Sequence, residues 1–315
     1  MPHLSAPLIG LIVALVVLIA LALAVWLASG RLLARRPPDP PRTPAEVGVP
    51  FDRVIFPARD GVRLHGRLTK TISPDRDARA VIVFCPGLFG SMDGDTDLVP
   101  MFTESGYDVF QFDWRAHGQS EGRRCTLGLA EPLDVLGALD FLELRGIRRV
   151  GLMALSFGGA VALRAVALDH RPLAVVCDGV FVRLSHAVSG LLAERFGGLR
   201  AALLRPLVSL ALALAAIRLH DSLSRAEPMD AVTQVSPRPV LFIHGALDPI
   251  VPVADQEALF TACGDPKSMW LVGGAGHREA RSQHPEEYRR HVIEFFDTYM
   301  RGELATRFSD PRRPH

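Results

Sequence analysis

The chain has 315 residues, of which 49% are hydrophobic, and a formal net charge of +1. This length and apolar content predict one large α/β domain with a substantial core and an appendage, rather than two full domains. The near-neutral charge gives no electrostatic reason to expect nucleic acid as a partner.

The four cysteines are widely spaced, and no two of them form the C-x-x-C pair typical of metal or redox sites. Two of them lie in apolar, strand-like runs, so we interpret all four as small core residues. The cysteines are Cys85, Cys125, Cys177 and Cys263. The sequence therefore predicts no disulfide framework, no metal site and no bound cofactor.

An apolar run without any charge extends over Leu8–Ala28. A helix of this length crosses a hydrocarbon core of about 30 Å. A cleaved signal peptide is the alternative, because Ala22-Leu23-Ala24 offers small residues for cleavage. However, no Lys or Arg precedes the run, and the run is long for a signal peptide. We therefore predict an uncleaved, single-pass transmembrane helix over residues 1–30.

Positive charge follows the apolar run. The arginines are Arg31, Arg35, Arg36 and Arg42. Because basic residues favour the cytoplasmic side, the rest of the chain is predicted to lie in the cytoplasm. Residues 31–50 are proline-rich and polar, which predicts a stiff, extended linker off the membrane. The main domain is expected over residues 51–301, and a polar tail over 302–315.

The main domain is predicted to contain a largely parallel sheet. Alternating residues around Asp60-Gly61 indicate an opening antiparallel hairpin, and later apolar runs are typical of strands buried on both faces. The predicted strands are Asp52–Phe56, Val62–Lys70, Ala80–Cys85, Asp108–Trp114, Val150–Leu155, Leu173–Cys177, Val240–Ile243 and Trp270–Val272. The predicted crossover helices are Leu98–Glu104, Leu133–Leu144, Ala160–Leu168, Val253–Ala262 and Glu286–Met300. This order predicts an α/β fold with a doubly wound, mostly parallel eight-stranded sheet.

The alternation of strands and helices stops over residues 179–237, which predicts a helical cap insert. Its apolar stretch Leu207–Ile217 is too short to span a bilayer, so we expect a buried cap helix. The alternative is a lid that dips into the membrane, through which an anchored protein could take lipid directly from the bilayer.

The stretch Val150–Ala160 is an apolar strand that reaches a serine and turns at once into a helix of small residues. Such a sharp turn needs small residues two positions before and after Ser156, and these are Ala154 and Gly158. The turn would expose the serine hydroxyl at a helix N-terminus, with the Phe157 N–H free to bind an oxyanion. Ser156 is therefore a candidate nucleophile. The alternative is a buried serine that caps the helix.

A nucleophilic serine needs a base, and the base needs an acid that orients it. Asp248 follows a predicted strand, at the carboxyl edge of the sheet, where sites of open α/β folds form. His277 follows the last strand in the glycine-dense loop Gly273–His277, which allows it to reach over the sheet edge. The order Ser156, Asp248, His277 along the chain is that of α/β-hydrolases.

On these motifs, residues 51–301 resemble the α/β-hydrolase superfamily. The segment Phe112–Ser120 is similar to the family's D-x-R-G-H-G-x-S segment, with Ala116 in place of one glycine. Within the superfamily, the segment Asp60–Gly66 resembles one found in the branch of serine aminopeptidase-like and lysophospholipase-like proteins. The resemblance implies an α/β-hydrolase fold and a Ser156, His277, Asp248 catalytic triad.

The resemblance also implies a second oxyanion donor in the loop after the strand that ends at Phe84 or Cys85. Pro86 stands where the family has histidine and has no N–H to donate, so we expect the Leu88 N–H to act together with that of Phe157. The side chains of Leu88 and Phe89 could also form the floor of an acyl pocket.

Other residues compete with these assignments. Asp178 ends the strand before the cap, where some family members carry their acid, but Asp248 matches the family's G-x-x-D-x-x-V-P loop. The remaining histidines in family-like segments are interpreted as structural: His65, His117 and His244.

The resulting functional hypothesis is a membrane-bound serine hydrolase that cleaves a carboxylic ester of a small-molecule acyl substrate, lipids included. An acyltransferase, a thioesterase and a peptidase would use the same triad. A non-catalytic, membrane-tethered binding protein on the same scaffold is the alternative from another class.

Overall fold

The computed structural model describes residues 5–71, 80–88 and 90–301. The predicted polar tail and Phe89 lie outside these residues. The strands are β1 (Phe51–Pro57), β2 (Arg63–Thr69), β3 (Ala80–Cys85), β4 (Asp108–Phe112), β5 (Arg149–Leu155), β6 (Pro172–Asp178), β7 (Val240–Gly245) and β8 (Lys267–Val272). The helices are α1 (Ala6–Leu33), α2 (Val99–Glu104), α3 (Pro132–Leu144), α4 (Phe157–Leu168), α5 (Leu184–Phe196), α6 (Gly198–Leu219), α7 (Met229–Val232), α8 (Val253–Ala262), α9 (Ala280–Gln283) and α10 (Pro285–Met300).

Eight strands of the described chain form one sheet in the order β1-β2-β4-β3-β5-β6-β7-β8. The β1–β2 and β2–β4 pairs are antiparallel, and all the other pairs are parallel. The predicted eight-stranded, mostly parallel α/β sheet is confirmed. Its central strands β3, β5, β6 and β7 end at one edge, which brings the loops that follow them together.

The sheet is buried on both faces, as the continuous apolar strands predicted. In β5, Leu152 and Ala154 belong to the core on one face, whereas Met153 and Leu155 belong to the core on the other. Side chains alternate across a strand, so each apolar run supplies both cores. The result is a rigid sheet whose edge can hold side chains in fixed positions.

The N-terminal helix α1 continues past residue 30 to Leu33 and ends against the domain. Ser29 and Leu33 are buried, and the backbone N–H of Cys125 donates to the Leu33 carbonyl oxygen at 3.1 Å. Earlier in the helix, the large apolar side chains are exposed. By length and composition, Pro7–Leu33 is able to cross a membrane, a test that a signal sequence also passes.

Residues 34–50, here called the N-terminal strap, do not project as the predicted free linker. The Arg36 N–H donates to Ala116 at 2.8 Å, and the Arg35 guanidinium donates to the Gly118 and Ser120 carbonyl oxygens at 2.8 and 2.7 Å. Val49 is buried. The prediction that this segment projects as a spacer was therefore wrong, because arginine and backbone groups of the strap find hydrogen-bond partners on the domain.

Helices occupy the segment in which a cap was expected. The apolar stretch Leu207–Ile217 belongs to the longer helix α6, which packs against α5 and the end of α1. Its outer side chains Leu203, Leu210 and Ile217 are exposed, so the expectation of a buried cap helix was wrong for this face. With 22 residues, α6 is also long enough to cross a membrane by length and composition.

Candidate active site

Ser156 lies on a sharp turn between β5 and α4. Its backbone has φ 52° and ψ −114°, a left-handed conformation that costs a non-glycine residue about 1–3 kcal/mol. Backbone hydrogen bonds hold it there: its N–H donates to the Asp178 carbonyl oxygen at 2.8 Å, and its own carbonyl accepts the Gly159 N–H at 2.9 Å. The hydroxyl is therefore presented at the N-terminus of α4, where the helix dipole favours negative charge.

Positions 154 and 158, on either side of Ser156, carry small residues for different structural reasons. A Cβ at Gly158 would lie 1.9 Å from the Cys85 carbonyl oxygen, so any side chain there would push α4 away from the end of β3. Ala154 is fully buried in β5, where its methyl group is accommodated. The position where the family usually has glycine thus accepts alanine, whereas Gly158 allows the close approach of β3.

The structure brings Ser156, His277 and Asp248 together. His277 Nε2 lies 3.0 Å from Ser156 Oγ, and His277 Nδ1 lies 2.7 Å from Asp248 Oδ2. The Asp248 side chain is fully buried, and its other oxygen accepts the N–H groups of Ile250 and Val251, both at 2.8 Å. The carboxylate is therefore fixed in orientation, and the imidazole is fixed between it and the serine.

The competing acid, Asp178, makes a different contact. Its carboxylate accepts a hydrogen bond from the Tyr288 hydroxyl at 2.9 Å. Complete burial raises the pKa of Asp178, because desolvation disfavours the charged form. The His277 Nδ1 atom faces Asp248 instead, so the geometry favours Asp248 as the orienting acid.

The other histidines of family-like segments lie in structural positions. His244 is buried at the end of β7, and its Nε2 contacts the Val251 carbonyl oxygen at 3.1 Å. Burial lowers the pKa of His244, which favours its neutral form. His65 lies in β2, away from the serine, and its N–H donates to Ser120 Oγ at 2.9 Å.

Two side chains, those of Trp114 and His117, hold the loop that carries Leu88. Trp114 Nε1 donates to the Pro86 carbonyl oxygen at 3.0 Å, and His117 Nε2 lies 2.7 Å from the Leu88 carbonyl oxygen. With both carbonyl oxygens engaged, the orientation of the peptide groups in this loop is fixed. His117 therefore has a positioning role that the sequence did not reveal.

A cavity of about 250 Å³ lies over the serine. Ser156, His277, Leu88 and Phe157 all line it, so both predicted oxyanion donors belong to residues at the cavity wall. Its other walls include Val188 of the cap helix α5. The arrangement can hold an acyl group against the hydroxyl.

Sequence reasoning missed a charged cluster in the wall of this cavity. Asp95 accepts hydrogen bonds from Arg278 and from Arg281, the latter at 3.0 Å, and all three residues line the cavity. Arg278 directly follows His277 in the chain, which is the one signal that could have indicated it. Asp95 lies far from His277 in the sequence, and no sequence pattern indicated that it belongs to this cluster.

The chain is similar to known α/β-hydrolases. Residues 80–229 match the family model described as alpha/beta hydrolase fold. The chain has the α/β-hydrolase fold, and the match supports its membership of the α/β-hydrolase superfamily.

Individual proteins and solved structures are also similar to the chain. The chain is 28% identical over 251 residues to the uncharacterized protein YfhR of Escherichia coli K12, covering 78% of this chain and 80% of that one. It is 31% identical over 141 residues to the polyketide transferase claH of Penicillium crustosum, covering 43% and 46% of the two chains. Among solved structures, an esterase of Pyrococcus furiosus aligns with a TM-score of 0.69 at 21% identity, over 85% of this chain and 98% of that one.

Proposed function

We propose that the protein is a serine hydrolase that cleaves carboxylic esters through Ser156, His277 and Asp248. The observation that carries this proposal is the continuous hydrogen-bonded path from Ser156 Oγ to His277 and from His277 to Asp248, with distances of 3.0 and 2.7 Å. A nucleophile, a base and an orienting acid in this geometry are the requirements of acyl transfer. The esterase with a similar fold supports the same class of reaction.

In the acylation step, Ser156 Oγ attacks the ester carbonyl carbon while His277 Nε2 takes the hydroxyl proton. The carbonyl oxygen becomes an oxyanion, which the N–H groups of Phe157 and Leu88 stabilise. When the C–O bond to the alcohol breaks, His277 returns the proton to the departing oxygen. Asp248 holds the Nδ1 proton and stabilises the imidazolium that forms between these events.

In the deacylation step, His277 takes a proton from water, and the hydroxide oxygen attacks the acyl carbon. The bond between this carbon and Ser156 Oγ breaks, and the proton passes to Oγ. The products are a carboxylic acid, an alcohol and the free enzyme.

The same residues support acyl transfer to an acceptor other than water as a second candidate. The relative named as a polyketide transferase favours this candidate, although it matches less than half of the chain. Thioesters and amides follow esters as substrates for the same nucleophile. The segment Asp60–Gly66 supports the branch of serine aminopeptidase-like and lysophospholipase-like proteins.

The proposal includes α1 as an uncleaved membrane anchor, with the catalytic domain in the cytoplasm. Exposed apolar side chains along most of α1 support it, because they have no partner among the described residues except toward its end. The arginines after the helix support the orientation.

Labelling with a fluorophosphonate tests the catalytic proposal. We expect the wild-type protein and a Ser224→Ala control, changed at an exposed cap serine, to be labelled and to hydrolyse short acyl esters. Ser156→Ala should lose labelling, and its hydrolysis should fall by about 10³-fold or more, because the nucleophile is absent. A folded wild-type protein that neither reacts with the probe nor hydrolyses any acyl ester would leave the binding-protein alternative standing.

A further inference from the structure

A second, larger cavity lies between the N-terminal helix and the cap. It has a volume of about 700 Å³, which is in the range of cavities that hold organic ligands. Its walls come from α1, α5 and α6 and are mostly apolar, with Ala28 on α1 and Ala211 on α6 facing it from two sides. An apolar cavity of this size fits a hydrocarbon chain better than a polar ligand, because burial of apolar surface drives the binding.

This larger cavity adjoins the cavity over Ser156. Val188 of α5 lines both of them. The two cavities therefore meet at the Val188 side chain, and a small shift of this side chain together with its helix would open a passage between them. A chain bound in the larger cavity therefore has a short path to the serine hydroxyl.

The length of α1 places the larger cavity at the boundary of the membrane core. A hydrocarbon core of about 30 Å takes about 20 helical residues, which, counted from Pro7, end near Trp26. Ala24 and Val25 line the cavity, so its mouth lies at the depth where acyl chains begin. Arg31 and Arg195, at its rim, are exposed and would lie at the depth of the headgroups.

The outer face of α6 continues the apolar surface of α1. Leu199, Leu203, Leu210 and Ile217 are 80%, 74%, 55% and 67% exposed. Successive members are four, seven and seven residues apart, which puts them on one side of the helix. An exposed apolar stripe on a helix that packs against a membrane helix is typical of a helix lying in the bilayer interface.

We propose that this cavity is a lateral entry site, through which the acyl chain of a membrane lipid ester leaves the bilayer and brings its carbonyl to Ser156. The inference rests on the proposed ester hydrolysis and on α1 lying in the membrane. The acyl chain occupies the space between α1 and α6, the headgroup stays near the arginines, and the ester passes Val188. The substrate class is therefore a long-chain ester held in the membrane.

A pair of probes tests this entry site in the full-length protein reconstituted in phosphatidylcholine vesicles. One fluorophosphonate carries an ethyl group and the other a hexadecyl chain, and both label the reactive serine. Ala28→Trp and Ala211→Trp fill the cavity. Ala22→Trp and Ala213→Trp are matched controls on exposed sides of the same helices.

We expect the cavity-filling variants to react with the hexadecyl probe at least about tenfold more slowly than the wild type, a difference of about 1.4 kcal/mol. Their reaction with the ethyl probe should stay within about twofold of the wild-type rate, and both controls should react normally with both probes. Should the Trp variants fail to fold, Ala28→Leu and Ala211→Leu provide smaller fillings with the same expected selectivity.

The entry site is refuted if folded cavity-filling variants react with the hexadecyl probe at the wild-type rate, or if both probes slow equally. Failure of the proposed catalytic function looks different, because the wild type would then react with neither probe.

Discussion

The Asp248 carboxylate is held on both of its oxygens, by two backbone N–H groups on one and by His277 on the other. This double attachment distinguishes it from Asp178, whose contact is the Tyr288 hydroxyl. Asp178 ends β6, and the buried Asp248 side chain follows the end of the neighbouring strand β7 by three residues. At the scale of single residues, the orientation of a carboxylate toward His277, rather than its mere position near the sheet edge, therefore decides which acid can orient the imidazole.

We predict that Asp248→Asn lowers kcat for a short ester by about 10⁴-fold. The asparagine amide would donate to His277 Nδ1, which leaves the proton on Nε2 and prevents that atom from taking the serine proton. Asp178→Asn retains an oxygen that can accept from Tyr288, so its kcat should fall less than about tenfold. Steady-state ester kinetics of the two variants measure this difference, and a larger loss in Asp178→Asn would reverse the assignment.

The N-terminal strap supports the loop that carries Leu88. Asp39 Oδ2 accepts the Ser91 N–H at 2.6 Å and the Ser91 hydroxyl at 3.1 Å, and the Asp39 N–H donates to the same hydroxyl at 3.0 Å. Ser91 is buried and lies just after the loop. At the scale of elements, the segment between the N-terminal helix α1 and the sheet is therefore part of the support of the candidate oxyanion site.

We predict that Asp39→Ala lowers the free energy of unfolding by about 1–3 kcal/mol, because it leaves the buried Ser91 N–H without its acceptor. It should also lower kcat several-fold, because small displacements of the Leu88 N–H weaken its stabilisation of the oxyanion. Urea denaturation and ester kinetics on the same preparation measure both effects.

Glu46→Ala is the matched control, since Glu46 is an exposed acid of the same strap whose carboxylate accepts the Thr43 N–H within it. The control should match the wild type in kcat. If Asp39→Ala also does so, the strap has no role in supporting the site.

The whole molecule combines a sheet that carries the candidate triad with an apolar helix that ends against the cap. Because Ser29 and Leu33 are buried at this junction, the end of α1 is part of the packed structure. A membrane around the rest of α1 would therefore hold the cap and its adjoining cavity at the bilayer surface. Such an arrangement would bring the serine close to lipid esters without a soluble carrier.

We predict that the full-length protein stays in the membrane fraction after a high-salt wash, at its uncleaved mass of 34.3 kDa. A reporter at its carboxyl terminus should be active in the cytoplasm. Leu15→Arg with Leu18→Arg should release the protein, because each charge at the centre of a membrane helix costs about 2.5–3.5 kcal/mol. A shortened, membrane-free protein would contradict the anchor, and a reporter active only outside the cytoplasm would contradict the orientation.

The sequence was sufficient to predict the elements whose structure depends on interactions between residues close together in the chain. The turn at Ser156 was predictable because its steric limits act on residues within two positions of the serine. The strands were predictable because continuous apolar runs are required by a sheet buried on both faces. Boundaries were less accurate: β4 ends at Phe112 rather than Trp114, and α4 begins at Phe157 directly after the serine.

Only the tertiary structure could decide the long-range contacts. Asp178 and Asp248 both follow strands that end at the same sheet edge, so the sequence alone could not determine which carboxylate faces His277. The Asp95 cluster, the packing of the strap and the cavity between α1 and the cap also join residues far apart in the chain. Sequence by itself determined the fold class and the candidate nucleophile, because these follow from short-range pattern. The contacts among Ser156, His277 and Asp248, and the cavity between α1 and the cap, were decided by packing, which depends on how distant elements meet.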